Sequence, residues 1–500
     1  MVITKQLRAF WRHTNNKRLC RGDMDGNAWT RYRENIDREV KEMNEENKTN
    51  AENKQAEMGY KPITGLMVRM AVPGIIAQLI NILYSIIDRI YIGHIPGVGA
   101  NALTGVGLTF PIITLVSAFA MIVGAGGAPL AAIALGKKDR EEAERILGTG
   151  VFLLVCFALG IMAVFFLWKR PFLRMFGASD ATIGYADTYI SIYLIGTVSV
   201  LLYMGLNQYI IAQGKAVTAM LSVGIGAVLN LILDPVFIFV FHLGVSGAAI
   251  ATVISQTASA LWVVRTLTNK KASLTLRLSL VRPFQKEVKD ILALGVSPFI
   301  MSSTESLISI VINRGLSTYG GDLYVGSFTI IQSIMQMIAA PVQGFTQGVQ
   351  PIISYNYGAG NYDRVRSTYR RMIGVTFAFV SLATLCTILF PAVFASMFTN
   401  EQPLIELVGE VMPVFMLGML VFGLQNGIQP TFVALGQAKI SLFIAVLRKI
   451  ILLIPLAIIL PHFFGVMGVY YAEPISDVLS AVTATTLFLL NINGILKETD

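Results

Sequence analysis

The chain has 500 residues, 54% of them hydrophobic and only 14% charged, with a formal net charge of +9. Roughly a quarter of the residues of an ordinary soluble domain are charged, so this composition excludes one and points to the bilayer as solvent. The positive balance matches a membrane protein that collects lysine and arginine in its cytoplasmic loops, so nucleic acid is not an expected partner.

Residues 1–60 stand apart from the rest. They mix basic side chains such as Arg8, Arg12, Arg31 and Arg38 with many acids and hold almost no apolar run. No signal-peptide core is present, and such polarity predicts a disordered cytoplasmic tail. A translation start at Met43 or Met58 is the alternative.

From Ile63 onward, apolar runs of about twenty residues recur, the length a helix needs to cross a bilayer. They predict spans over 63–92, 103–134, 146–168, 186–212, 217–241, 246–268, 288–315, 324–355, 372–397, 405–434, 439–461 and 466–493. The joining segments test the parity. Beyond the tail, 18 lysines and arginines fall on one side, in groups such as Lys137 to Arg145, Arg277 to Lys289 and Arg364 to Arg371. Only Arg89, Lys169, Arg170, Arg174 and Arg314 fall on the other. This imbalance places both termini in the cytoplasm. The long loop near 269–287 divides the chain into an amino-terminal lobe over 61–275, a linker over 276–287 and a carboxy-terminal lobe over 288–496.

The two parts repeat each other when the second is slid back by about 220 residues. Pro73 then meets Pro298, and Asp88-Arg89 meets Asn313-Arg314. Pro129 and Gly136 meet Pro351 and Gly358, Gly214-Lys215-Ala216 meets Gly436-Gln437-Ala438, and Gly244-Val245-Ser246-Gly247 meets Gly465-Val466-Met467-Gly468. Six helices per half make the repeat parallel, with its axis along the membrane normal. The expected fold is an all-α polytopic membrane protein of twelve transmembrane helices in two pseudosymmetric six-helix lobes around a central cleft.

An acid at mid-helix costs about 2.5 to 3.5 kcal/mol by insertion scales, so it faces a protein interior or a wet cavity. At about 100° per residue, Gln78, Asn81, Ser85 and Asp88 share an arc of roughly 80° on the first span. Asn230 and Asp234 stack one turn apart on the fifth, beside Pro235, whose ring frees a backbone carbonyl. Together they resemble half of a hard-cation or proton site, with H⁺ or Na⁺ at Asp88, Asn230 and Asp234. The alternative is interhelical hydrogen bonding, which an amide supplies without the cost of a charge.

In the second half, Ser302, Glu305, Ser309 and Asn313 form a similar stripe. Gln332, Gln336, Gln343, Gln347 and Gln350 share an arc of about 60° on the eighth span. Neutral amides on one face suit a hydrated substrate pathway for organic cations or neutral molecules, with packing as the competing account. Pro73 and Pro298 are candidate hinges. Glu473 and Asp477 lie one turn apart on the last span and Arg448-Lys449 inside the eleventh, where a structural ion pair and a functional role are equal readings.

Cys20, Cys156 and Cys386 are far apart, and the four histidines show no metal spacing. No GxxxxGK[ST] motif is present, which excludes ATP-driven pumping by this chain, and without GxSxG, HExxH or paired cysteines an embedded enzyme has little support. The expectation is a protein that is not an enzyme and has no cofactor.

At these residues the chain resembles the multidrug and toxic compound extrusion (MATE) transporters of the MOP superfamily, in particular the branch of the bacterial DinF-like and MepA-like pumps. The likeness spans about residues 60 to 495. It rests on Ala71-Val72-Pro73 with Asp88 downstream, on Leu229-Asn230-Leu231-Ile232-Leu233-Asp234-Pro235, on Gly247-Ala248-Ala249-Ile250-Ala251-Thr252, and on Gln350-Pro351 through Tyr355-Asn356-Tyr357-Gly358-Ala359.

The resemblance implies a V-shaped antiporter that exchanges H⁺ or Na⁺ for drugs, with its amino-lobe cation site on Asp88, Asn230, Asp234 and Thr252. Glu305 approximates an acid that other branches carry on the seventh helix. Gln425 and Asn426 stand where those branches place a second acid, and Gln347 stands where MepA-like pumps carry one. The implied setting is a multi-pass monomer in the bacterial inner membrane, in contact with lipid and exporting small organic molecules by alternating access. A lipid-linked oligosaccharide flippase of the same superfamily is the nearer alternative. A channel or receptor is the more distant one.

Overall fold

The computed structural model describes residues 57–269 and 272–497. The tail read over 1–56, and Lys270 and Lys271 of the long loop, lie outside the described residues. Residues 57–60, also assigned to the tail, are instead helical, and Met58 is only 1% exposed. The Met58 and Lys61 carbonyls accept hydrogen bonds from Arg364, which pins this short segment to the body.

The described chain is helical, with ten helices long and apolar enough to span a membrane and two bent pairs that bring the total to twelve. In chain order they are α1 (Ile63–Gly93), α2 (Gly99–Gly136), α3 (Arg140–Met175), α4 (Ile183–Ile195 with Thr197–Ala212), α5 (Ala216–Val240) and α6 (Val245–Thr268). The second set is α7 (Gln285–Tyr319), α8 (Asp322–Gly358), α9 (Tyr362–Leu389), α10 (Gln402–Met416 with Met419–Ala434), α11 (Ala438–Phe464) and α12 (Val466–Ile495). Every predicted span has its helix. Their outward faces carry exposed apolar side chains such as Leu83, Leu167 and Leu490, as expected where lipid replaces water.

Local chemistry sets the helix ends and breaks. Asp139 caps α3 by accepting from the Glu142 amide, with Glu141 and Glu142 in the positive first turn. The α4 pair bends by 59° at Gly196, and the α10 pair bends by 47° between Met416 and Met419. These two breaks are repeat-related. Beyond Pro235, which lacks a backbone donor, α5 widens into a π-helical turn over Val236–Val240, and α11 widens similarly over Leu447–Leu453. The hinge candidates Pro73 and Pro298 sit inside the continuous helices α1 and α7.

The lobes cross through α1 against α8 and α2 against α7, the pairing that a two-fold relation between the halves requires. Glycine makes the crossing possible. A Cβ on Gly74 of α1 would stand 2.3 Å from the Gly344 carbonyl oxygen of α8, and one on Gly295 of α7 would stand 2.0 Å from the Ile122 oxygen of α2. Backbones that close leave no room for any side chain at these points.

The apolar core is asymmetric across the membrane. Its larger part unites the amino lobe with Ile352, Ile353, Val365, Tyr369, Phe432 and Phe488 of the carboxy lobe, residues of the half that bears the basic connectors. The smaller part draws only on the carboxy lobe, with Ile308, Phe328, Val411, Phe415 and Tyr470. The lobes therefore share one core toward the basic face and separate toward the opposite face. The long loop is not a free tether, since Ser273 and Leu274 are buried and Gln213 accepts from the Ser273 hydroxyl and the Leu274 amide.

Candidate functional site

Three helices of the amino lobe converge in its separated half. Asp88 is five residues from the end of α1, Asn230 and Asp234 precede the widened end of α5, and Thr252 is in the second turn of α6. All four are buried, Asp234 completely and Asp88 to 9% exposure. Asn230 Nδ2 donates to Asp234 Oδ1 over 3.0 Å and to Thr252 Oγ1 over 3.4 Å. The helical spacing of Asn230 and Asp234 makes the first bond, and the antiparallel packing of α5 on α6 makes the second.

The Asp88 carboxyl meets that of Asp234. Asp88 Oδ1 and Asp234 Oδ2 are both buried and accept no hydrogen bond. Two adjacent carboxyls in a low-dielectric interior repel when both are ionised, and buried acceptors without partners carry a desolvation cost. One monovalent cation removes both penalties. The donor set consists of hard oxygens, which suits H⁺ or Na⁺. Among the described residues no group of three or more histidine, cysteine or acidic side chains is placed to hold a metal.

Tyrosines complete the site. Tyr84 and Tyr189 turn their hydroxyls toward Thr252, and Tyr193 lies beside them. Tyr84 was legible in principle, because it precedes Asp88 by one helical turn and so lies on the same stripe. Tyr189 and Tyr193, stacked at 6.5 Å on α4, carry no such signal, since their place depends on how α4 packs.

The other predicted residues lie elsewhere. Gln78 Nε2 donates to Gln347 Oε1 across the lobes over 3.3 Å. Asn81, Gln336 and Gln343 are exposed, while Gln332 donates to the Ser309 hydroxyl over 3.1 Å. Asn313 keeps a buried, unpartnered Oδ1. Glu305 is 55% exposed and receives a 2.7 Å bond from Lys449. The pairing of Arg448-Lys449 with Glu473 and Asp477 therefore holds for Arg448 alone, at 3.0 and 2.8 Å.

Similar proteins share this architecture. Multidrug export protein MepA of Staphylococcus aureus (strain NCTC 8325 / PS 47) is 25% identical over 435 residues, covering 86% of this chain and 94% of that protein. The protein of the same name from Staphylococcus haemolyticus (strain JCSC1435) is 25% identical over 424 residues, 84% of this chain and 91% of that one. Among solved structures, an outward-facing multidrug resistance MATE family transporter of the MOP superfamily superposes with a TM-score of 0.81 at 23% identity, covering 88% of this chain and 98% of that one. A MATE structure in the bent conformation gives 0.82 at 23% identity, over 89% and 98%. These structures share the fold. The sequence pattern of MatE itself matches residues 73–236 and 298–459, one match in each lobe, so this multi-pass membrane protein belongs to the MatE family, whose members are transporters and not enzymes.

Proposed function

We propose that the protein is a secondary active multidrug efflux antiporter that exports small organic cations in exchange for H⁺ or Na⁺. The single observation that carries this reading is the pair of buried carboxyls, Asp88 and Asp234, each with an oxygen that accepts no hydrogen bond. A site built this way is stable loaded and unstable empty. Its occupancy is therefore able to bias which arrangement of the lobes prevails, which is what coupling requires. The names of the MepA relatives support export of drugs.

In this reading the basic face is cytoplasmic, the membrane is the bacterial inner membrane, and the separated half of the lobes opens outward. Asn81, Gln336 and Gln343 are exposed and the Glu305 carboxylate is half-exposed, which supports a substrate path along these groups. On such a path an organic cation meets neutral acceptors and, at Glu305, a carboxylate that Lys449 already pairs. Pro73 and Pro298 let α1 and α7 bend as the amino-lobe site loads and empties.

The test is uptake of ethidium into everted vesicles, driven separately by a pH gradient and a Na⁺ gradient. The expected result is accumulation under one gradient that Asp234→Asn abolishes while membrane insertion persists. Accumulation that survives in the variant would remove Asp234 from the coupling mechanism.

A further inference from the structure

The carboxy lobe holds a second set of ionisable groups, of which the mechanism above uses only Glu305. Arg448 and Lys449 sit on the π-helical turn of α11, Glu473 and Asp477 one turn apart on α12, and Glu305 on α7. Arg448, Lys449, Glu473 and Asp477 are each 5% exposed or less. With all five ionised the cluster holds three negative and two positive charges. Its pairing is uneven. Lys449 is committed to Glu305, the one half-exposed member, at 2.7 Å. Arg448 is shared by two acids, donating through Nε to Asp477 and through Nη2 to Glu473.

That leaves Glu473 and Asp477 with one guanidinium between them. Asp477 Oδ2 is fully buried and accepts no hydrogen bond. The remaining neighbours bring no further cation. The Phe422 ring of α10 lies 4.0 Å from the guanidinium carbon of Arg448, Ser480 donates to Gln425, and Ser476 donates to the Arg448 carbonyl. Glu406 and Glu410 of α10 are exposed at the surface. A buried carboxylate without its own counter-charge is among the costliest arrangements in a protein interior, and one proton removes it.

The location matches the first site. A shift of 221 residues carries Thr252 of α6 onto Glu473 of α12, and one of 222 carries Gly196 onto Gly418. In the amino lobe, the break of α4 at Gly196 abuts Val253, next to Thr252. In the carboxy lobe, the break of α10 at Gly418 abuts Asp477 itself, so that a Cβ there would stand 2.8 Å from the Asp477 Cβ. Each lobe thus sets its ionisable cluster against the bend of its broken helix.

We propose that Glu473 and Asp477 share one exchangeable proton, which makes the carboxy lobe a second site of ion coupling beside Asp88 and Asp234. The coupling half of this statement rests on the antiport reading above. On release the O–H bond breaks, the electron pair stays on the carboxylate, and the proton passes to solvent on the side of the half-exposed Glu305.

Infrared difference spectroscopy across a pH titration tests the proton directly, in purified protein carrying Asp88→Asn and Asp234→Asn so that the first site is silent. The expected result is a carboxylic C=O band that disappears as pH rises and that is missing when Glu473→Gln is added. Either acid alone is balanced by Arg448, so Asp477→Asn removes the same band and decides the matter if Glu473→Gln does not fold. A band unchanged by both would overturn the proposal. In proteoliposomes of otherwise wild-type protein, Glu473→Gln is expected to lower the protons moved per substrate by about one. An unchanged ratio would overturn coupling at this site while leaving the amino-lobe mechanism standing. Absence of gradient-driven transport in the wild type would overturn the antiport reading and coupling here with it, and the infrared band would still decide the proton.

Discussion

Gln78 on α1 donates a hydrogen bond to Gln347 on α8, 269 positions away in sequence, and this bond crosses from one lobe to the other. Gln78 follows Gly74 by one turn on α1 and Gln347 follows Gly344 by three residues on the antiparallel α8, so the bond lies beside the contact of those two glycines. The backbone crossing holds the lobes together toward the basic face, and the amide pair bridges them beside it. If the lobes rock, this crossing must part.

Gly344→Leu places a branched side chain where a Cβ already meets the backbone of Gly74 at 2.6 Å. Overpacking of this kind costs roughly 1 to 3 kcal/mol. The population is therefore expected to shift toward the form in which the basic face opens. In a cysteine-free background, Thr346→Cys, now 7% exposed, is expected to react severalfold faster with an impermeant maleimide applied from the basic side. Equal rates with and without Gly344→Leu would show that the seal lies elsewhere.

Asp88→Asn tests the first site from its α1 side. Removing one of two adjoining carboxyls abolishes their mutual repulsion whether or not an ion is bound, so loading no longer changes the balance of states. The expected outcome is gradient-driven ethidium accumulation reduced at least about tenfold, which corresponds to roughly 1.4 kcal/mol of lost coupling, with ethidium binding by fluorescence anisotropy retained. Loss of binding instead would place Asp88 in the substrate site.

Arg448→Ala leaves Glu473 and Asp477 buried with no counter-ion. Truncating one member of a buried ion cluster costs about 3 to 5 kcal/mol, and thermal unfolding in detergent is expected to shift downward by several degrees. The Arg448→Met, Glu473→Gln, Asp477→Asn triple variant removes the stranded charges and is expected to recover most of that loss. A triple variant no more stable than Arg448→Ala would refute the charge account.

Arg364 on α9 joins Met58 and Lys61 to the carboxy lobe, donating to their carbonyls at 2.9 and 2.7 Å and to Asn356 Oδ1 at 3.1 Å. Arg364→Ala is expected to speed amide exchange over 57–66 at least about tenfold while exchange in α5 and α6 stays unchanged. Uniform acceleration would mean that the residue stabilises the whole fold.

The same segment carries a pH dependence. A hydrogen bond from Lys61 and one from Arg69 hold the Glu57 carboxyl below its ordinary range. Its folded value is depressed, so its contribution to local stability is present above the unfolded carboxyl pKa, about 4.3, and is lost as pH falls through the lower folded value. Amide exchange over 57–61, corrected for the intrinsic rate, is expected to accelerate below about pH 4 in the wild type. Glu57→Gln is expected to abolish that pH dependence.

What the chain determined by itself is local and periodic. Hydropathy and the alternation of basic loops yield twelve spans and two lobes, because a helix in lipid satisfies its own backbone and is identified by its own residues. The stripe that ends at Asp88 and the turn that stacks Asn230 on Asp234 follow from the helical period alone, and the structure brings them together with Thr252.

The tertiary structure decided everything that joins distant elements. Lys449 turns to Glu305 while Arg448 bridges Glu473 and Asp477, a division that adjacent positions on one helix do not reveal, because a widened π-helical turn points them differently. Tyr189 comes to Thr252 only through the packing of the first segment of α4 on α6. The closing of the lobes toward the basic face depends on glycines of one helix meeting the backbone of another across more than 150 residues of chain. Such contacts depend on side-chain volume and helix crossing, and neither is written in a single segment.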